Sequence, residues 1–458
     1  MSIANRVSVS QPRLSGTVIL EPSKSLSNRA LIIRSLCDQP FDIHHLSASD
    51  DTVVLQKMLS SKDSKLFAGH AGSSYRFMVA RLCLGFSEVV LEATPQLSRR
   101  PIGPLVRALQ NLGADISYFK KDGFPPLLIK PSAAFGVKSN EVTLHAGVSS
   151  QYISAMLMIA PCLPNGLTIH LTEDPVSVSY VHMTMRMMEY FGITTSFIGN
   201  TIRIEPGKYV TKEIAIEGDW SAASYFYSCA ALAESATIEI EGLNELSLQG
   251  DQVVRLIYEG LGVTTHFHEK GITLVKTKAE AKAKAEAKEA KAIGFKYDFT
   301  SCPDLAQTVM VTLAGLGIKG ELSGLKTLRI KETDRIAAMQ TELARVKTVL
   351  EVHEKDGNIS CKLFGKAKWK DRANFNTYED HRMAMAFTPL ACIHPITIKN
   401  PQVVSKSYPG FWKDMATIGV KSEPLTLRRP PGKSPVKELA TDSRKSKRPK
   451  HLGRKKNR

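Results

Sequence analysis

The strongest constraint on this chain is that one pattern of stops and turns returns at long intervals. A helical stretch ending in glycine, then a short strand, a turn and a second strand, recurs over residues 109–130 around Gly113, 187–205 around Gly192 and 257–276 around Gly262. A degenerate copy over 343–363 has Lys347 in the glycine's place. Glycine at such a point is the residue that a left-handed helix stop favours. Within the copies, Lys121-Asp122-Gly123, Gly199-Asn200, Glu269-Lys270-Gly271 and Asp356-Gly357-Asn358 predict hairpin turns. The stop positions lie 79, 70 and 85 residues apart, beyond the period of a thin solenoid. The pattern predicts an α/β module used several times to build two similar domains.

Length agrees with more than one domain, since 458 residues exceed what a single core usually serves. The chain is 43% hydrophobic and 23% charged, as in soluble globular proteins. No apolar run approaches the roughly 18 residues of a membrane span, and MSIANR at the start lacks a signal-peptide core, so a cytoplasmic location is expected. Seven cysteines stand far apart, mostly among apolar neighbours, and never as Cys-x-x-Cys. They predict core packing rather than disulfides or zinc. The net charge of +17 suggests nucleic acid until it is located. From Pro424 onward, 13 Lys/Arg stand against two acids, leaving the body only +6. This Pro/Lys/Arg-rich tail, 424–458, cannot bury a core and is expected to be disordered. The Ala/Lys/Glu repeat at 276–292 favours helix but has no apolar face, so it reads as an exposed insertion without chemistry.

Chemistry concentrates where helices begin. Residues 328–335, LRIKETDR, read as a strand ending in a helix start, with Thr333 or Asp334 as N-cap and Lys331 and Arg335 flanking the free backbone N–H groups. Such an end suits a phosphate or carboxylate, with Glu332 as an acid/base group among the cations. The plain alternative is a solvated pattern of charges on a helix face. Similar starts recur at PSKSLSNR (22–29), at GHAGSSYR (69–76), at SRRPI (98–102) with Pro101 opening a helix, and at GVSSQY (147–152). GDWSAASY (218–225) starts an apolar helix and marks where a second domain can begin. Asp304 in SCPDL (301–305) is either a helix cap or a catalytic carboxylate, and EDHRMAMAF (379–387) again puts charge before an apolar helix. No metal-ligand spacing and no nucleotide-binding glycine motif accompanies them. The residues suggest a cleft between two domains that holds small, highly anionic substrates and works by acid/base chemistry.

Taken together, PSKSLSNR (22–29), RPIG (100–103), SSQ (149–151), GD (218–219), KETDR (331–335) and DHRMAM (380–385) resemble the EPSP synthase family, 3-phosphoshikimate 1-carboxyvinyltransferases, in order over roughly residues 5–420. The resemblance implies a two-domain inside-out α/β barrel of repeated βαβαββ-type modules. Its domains would be 1–20 plus 218–423, and 21–217. Between Asp51 and Gly69 there is room for a helix but not for a hairpin, so the first domain is expected to contain one abbreviated repeat. The implied reaction moves the enolpyruvyl group of phosphoenolpyruvate to the 5-hydroxyl of shikimate 3-phosphate, without cofactor or metal, in a monomer. By motif, Lys24, Ser25, Arg29, Ser149, Ser150, Gln151, Ser177, Asp304 and Lys331 would hold shikimate 3-phosphate. Lys24, Gly72, Arg100, Gln151, Arg335, Arg382 and Lys406 would hold phosphoenolpyruvate. Asp304 would accept a proton, Glu332 would donate one, and Lys24 would serve both substrates.

This chain departs from the family pattern at three places. It reads HAGSSYR at 70–76 where NAGTAMR is usual, Thr327 where asparagine is usual, and SVSY at 177–180 for SKPY. Three rival readings remain. The sister enolpyruvyl transferase acting on UDP-N-acetylglucosamine uses a loop cysteine as its acid, and no cysteine here lies in the corresponding region before Arg100. A polyanion-binding protein would depend on the basic tail, to which any nucleic-acid contact would be non-specific. A catalytically dead homologue would not be expected to keep Lys24, Asp304, Glu332 and Arg382.

Overall fold

The computed structural model describes residues 3–145, 149–172, 177–276 and 294–425. The Ala/Lys/Glu stretch beyond Lys276, the basic tail beyond Leu425, and Gly147 and Val148 lie outside them. The fold is mixed α/β, with open sheets among the described residues. Five four-stranded sheets share one plan: two parallel strands with a helix leading into the second, then an antiparallel pair on that second strand. Strands Lys65–Phe67 and Val89–Glu92 pair in parallel, and Leu127–Lys130 then pairs antiparallel with Val89–Glu92 and with Asp115–Tyr118. The sheets around Leu167–Leu171, Ser235–Glu241 and Gly320–Ser323 repeat it. In the fifth, Ala4–Val9 and Val420–Leu425 replace the hairpin beside Ile396–Lys399. The sixth sheet is only Ile43–His44 paired with Ile214–Ala215. It lacks the hairpin for which residues 51–69 leave no room, and helix Asp50–Ser60 stands alone there.

The repeated stops take the backbone form read from the sequence. Gly113, Gly192 and Gly262 have φ of 99°, 83° and 94°, and Lys347 is forced to 61° in the same role. Asp356 (51°) and Gly357 (73°) form the two-residue turn between Lys355 and Asn358, where two positive φ values match the right-handed twist of the strands. Gly199-Asn200 and Glu269-Lys270 likewise close tight hairpins. The Lys121–Gly123 turn does not. Tyr118 pairs with Leu127, leaving an eight-residue connection, because the Gly123 carbonyl is drawn away to accept from the amides of Ile102 (2.8 Å) and Gly103 (3.1 Å).

Three other expectations are corrected. Residues 328–330 are not a strand but the end of a 3₁₀ helix, Lys326–Ile330. Leu325 and Leu328, three apart, are both buried while Ile330 is 49% exposed, a period of three rather than two. Pro101 does not open a helix. It holds Arg100 in an extended conformation, and the helix starts at Gly103–Asn111 with Pro104 in its first turn. Cys162 is exposed despite its apolar neighbours, because Pro161 and Leu163 turn inward around it. Cys83, Cys229, Cys302 and Cys361 are buried.

The buried apolar side chains fall into two clusters. One takes Leu26 to Ile216, and the other takes Val7 to Leu20 together with Trp220 to Val420. The chain passes between them at two adjacent points, where Pro22 and Gly218 are bridged. No helix among the described residues is long and apolar enough to cross a membrane.

Candidate active site

In each module a helix begins just after a strand ends, so strand carboxyl ends and helix amino ends gather on one side, where open α/β sheets form their ligand crevices. The helices Lys24–Leu36, Gly72–Leu82, Ser150–Ile159, Val178–Tyr190, Trp220–Leu232 and Arg335–Ala344 all send first-turn or preceding residues into one cleft. Several starts are fixed by side-chain caps. Ser23, Ser149, Asp219, Asp334 and Asp380 each accept from a backbone N–H two or three residues on, which frees the neighbouring cations and hydroxyls to face inward.

Asp304 is not a cap. Its Oδ1 faces Lys331 Nζ (3.5 Å) and Arg335 Nη1 (3.1 Å), and its Oδ2 faces Arg382 Nη2 (3.0 Å) and the Tyr180 hydroxyl (3.0 Å). Burial alone would raise its pKa, but Arg382, Lys331 and Arg335 hold it well below the usual carboxylate range. Glu332 accepts from Arg335 Nη2 (2.9 Å) and Lys406 Nζ (3.1 Å), with Arg100 Nη1 at 3.5 Å. Burial opposes its ionisation, and Lys406, Arg100 and Arg335 outweigh burial. Arg335, 1% exposed, is gripped from behind by Asp380 (2.7 and 3.2 Å), so it is aimed between the two carboxylates. Charges this deep are tolerated when they are paired or their hydrogen bonds are satisfied.

Arg29 is the contrasting case. It is 3% exposed, donates to Thr184, Ser154 and the carbonyls of Ser25 and Tyr180, and lies against the rings of Phe77 and Tyr180. None of these partners is a carboxylate. Burial lowers it to about 10, which makes its end of the cleft a place for an incoming anion.

The cleft wall contains every residue expected from the sequence except Lys406, whose Nζ donates to Glu332 Oε1 at 3.1 Å. Lys24 pairs with Asp51 at 3.5 Å, and Gln151 donates to Ser73 at 2.9 Å. The Gln151 Oε1 and the Thr327 Oγ1 are buried without a hydrogen-bond partner among the described residues, and both side chains line the cleft. Gly72 leaves room for two guanidinium groups: a Cβ there would stand 2.7 Å from Arg100 Nη1 and 2.9 Å from Arg76 Nη1. Ser177 is held at φ 58°, its N–H donating to Thr300 O across the cleft at 2.9 Å. Tyr378 and Glu379, also at positive φ, turn the chain into Asp380, His381 and Arg382. Sequence reasoning missed Asp51, Tyr180 and the role of Asp380 in holding Arg335. Asp380 stood inside a recognised motif. Tyr180 likewise closed the SVSY motif at 177–180, and nothing local distinguished Asp51.

Two paired carboxylates among buried cations, between two α/β halves, define an acid/base enzyme built for small polyanionic substrates. The family model for EPSP synthase (3-phosphoshikimate 1-carboxyvinyltransferase) matches residues 53–415. A 3-phosphoshikimate 1-carboxyvinyltransferase from Bacteroides fragilis (strain YCH46) is 41% identical over 409 residues, 89% of this chain and 96% of the relative. One from Xenorhabdus nematophila is 32% identical over 443 residues, covering 89% and 96%. The solved EPSP synthase of Acinetobacter baumannii superposes with a TM-score of 0.72 at 19% identity, covering 92% of this chain and all of that one. The chain belongs to the EPSP synthase family.

Proposed function

We propose that this chain transfers the enolpyruvyl group of phosphoenolpyruvate to the 5-hydroxyl of shikimate 3-phosphate, releasing phosphate. The observation that carries the reading is the pairing of Asp304 and Glu332 with cations that two polyanions would compete for. Lys24, Ser25, Arg29, Ser149, Ser150, Gln151, Ser177, Asp304 and Lys331 are assigned to shikimate 3-phosphate. Lys24, Gly72, Arg100, Gln151, Arg335, Arg382 and Lys406 are assigned to phosphoenolpyruvate. With a substrate phosphate and carboxylate on Arg100, Arg335 and Lys406, the positive field at Glu332 falls and its pKa rises toward that of a usable acid. Glu332 then protonates the methylene carbon, the 5-hydroxyl oxygen bonds to the adjacent carbon, and Asp304 takes the hydroxyl proton. The fixed cations stabilise the tetrahedral adduct, and loss of a methyl proton with departure of phosphate restores the double bond.

We further infer that the halves are two domains, 1–20 plus 218–423 and 21–217, in the inside-out arrangement, with one abbreviated module in 21–217. The split of the apolar core and the two-stranded sixth sheet support this. A monomer in the cytoplasm is the accompanying proposal. The test is phosphate release from phosphoenolpyruvate with shikimate 3-phosphate or with UDP-N-acetylglucosamine. Release with the first alone is expected; release with the second alone, or with neither, overturns the reading.

A further inference from the structure

We propose that Ser221, held by Asp251, accepts a hydrogen bond from the non-reacting ring hydroxyl of shikimate 3-phosphate, making the pair a specificity device of the acceptor site. This rests on the function proposed above. Ser221 lies in the first turn of helix Trp220–Leu232, and it is 8% exposed and lines the cleft beside Asp219, Ala222 and Tyr225. Its hydroxyl donates to Asp251 Oδ2. Asp251, on the 3₁₀ turn Gly250–Val253, is 4% exposed and does not line the cleft. Its other oxygen, Oδ1, is buried with no hydrogen-bond partner among the described residues. The turn is tied to the start of the same helix: Gln249 accepts from Trp220 N (3.1 Å) and donates to Gly218 O (2.7 Å). On its other side, Gly250 is pressed against Ser179, whose Cβ an added side chain would meet at 2.3 Å. Neither member of the pair is free to drift.

A serine hydroxyl has one hydrogen and two lone pairs. With that hydrogen committed to Asp251, only lone pairs remain to face the cleft. A phosphate or carboxylate oxygen, itself an acceptor, gains nothing there, whereas a hydroxyl donor does. Shikimate 3-phosphate has two free ring hydroxyls. The 5-hydroxyl is the nucleophile, and this leaves the one at carbon 4. The groups facing Asp251 besides Ser221 are Asp304, Asp219, Arg382, Tyr180, Tyr297 and Cys302. Burial and Asp304 push its carboxyl up to about 7, so above that it is ionised and can only accept.

Kinetics at about pH 8 test the pair. Ser221→Ala is expected to raise KM for shikimate 3-phosphate about tenfold, the effect of one lost hydrogen bond, while KM for phosphoenolpyruvate moves less than about threefold. The 4-deoxy acceptor should be about tenfold weaker than the parent with the unmutated protein, and no weaker than the parent with Ser221→Ala. Asp251→Ala should reproduce the Ser221→Ala split, with no further loss in the double variant. If Asp251→Ala does not fold, the 4-deoxy comparison in Ser221→Ala decides alone. An unchanged 4-deoxy penalty in Ser221→Ala, or equal rises in both KM values, overturns the proposal. No turnover by the unmutated protein with both substrates would instead sink the functional reading, and this inference with it.

Discussion

At the residue scale, Glu332 is the proton donor proposed above. In the free protein it is surrounded by Arg100, Arg335 and Lys406 and so holds no proton at neutral pH. Replacing it with glutamine keeps the shape and most hydrogen bonds but removes the transferable proton. Glu332→Gln is therefore expected to lower kcat about 100-fold or more with little change in substrate affinity. Near-native turnover would remove Glu332 from the mechanism. The same change has a signature in stability. A carboxylate whose pKa is depressed by folding stabilises the native state above its unfolded pKa, about 4, and that contribution is lost as pH falls through the depressed value. The fall of Tm below about pH 4 should therefore be shallower for Glu332→Gln than for the parent.

At the scale of the element, the modules differ most where one residue is out of character. Lys347 has φ 61° at the stop that Gly113, Gly192 and Gly262 occupy at little conformational cost. A left-handed conformation costs a side-chain-bearing residue about 1–2 kcal/mol, partly offset in glycine by its freer unfolded state. Lys347→Gly is expected to add about 1 kcal/mol, seen as a rise of about 2–4 °C in Tm. A fall in Tm would mean that the lysine side chain stabilises the fold by more than its backbone strain. These stops were legible because a helix end, a glycine and a turn dipeptide are all local. The 3₁₀ helix at Lys326–Ile330 was not, since Leu328 and Ile330 suit a strand until Leu325 is seen to share the buried face.

For the whole molecule, the cleft lies between two cores. Tyr180 reaches Asp304, Arg100 reaches Glu332, and Ser405 donates to Asp50 (2.7 Å), each contact joining one half to the other. The basic tail begins after Val420–Leu425, a strand of the fifth sheet. Removing residues 426–458 is therefore expected to leave kcat/KM within about threefold at moderate salt, where long-range attraction of anions is largely screened. Loss of turnover on truncation would move the chemistry toward the tail.

The sequence by itself determined most of the helix starts, the left-handed stops and the chemical groups available to the site. Each depends on residues within a few positions of one another, where backbone geometry and side-chain type act directly. Only the tertiary structure decided that Asp304 is a buried ion-pair centre rather than a cap, that Asp380 grips Arg335, that Tyr180 meets Asp304 and that Asp251 commits the hydrogen of Ser221. Those partners stand 30 to 124 residues apart in the chain. Their pairing follows from how the sheets bring helix starts together and exclude water around them, which no local pattern encodes.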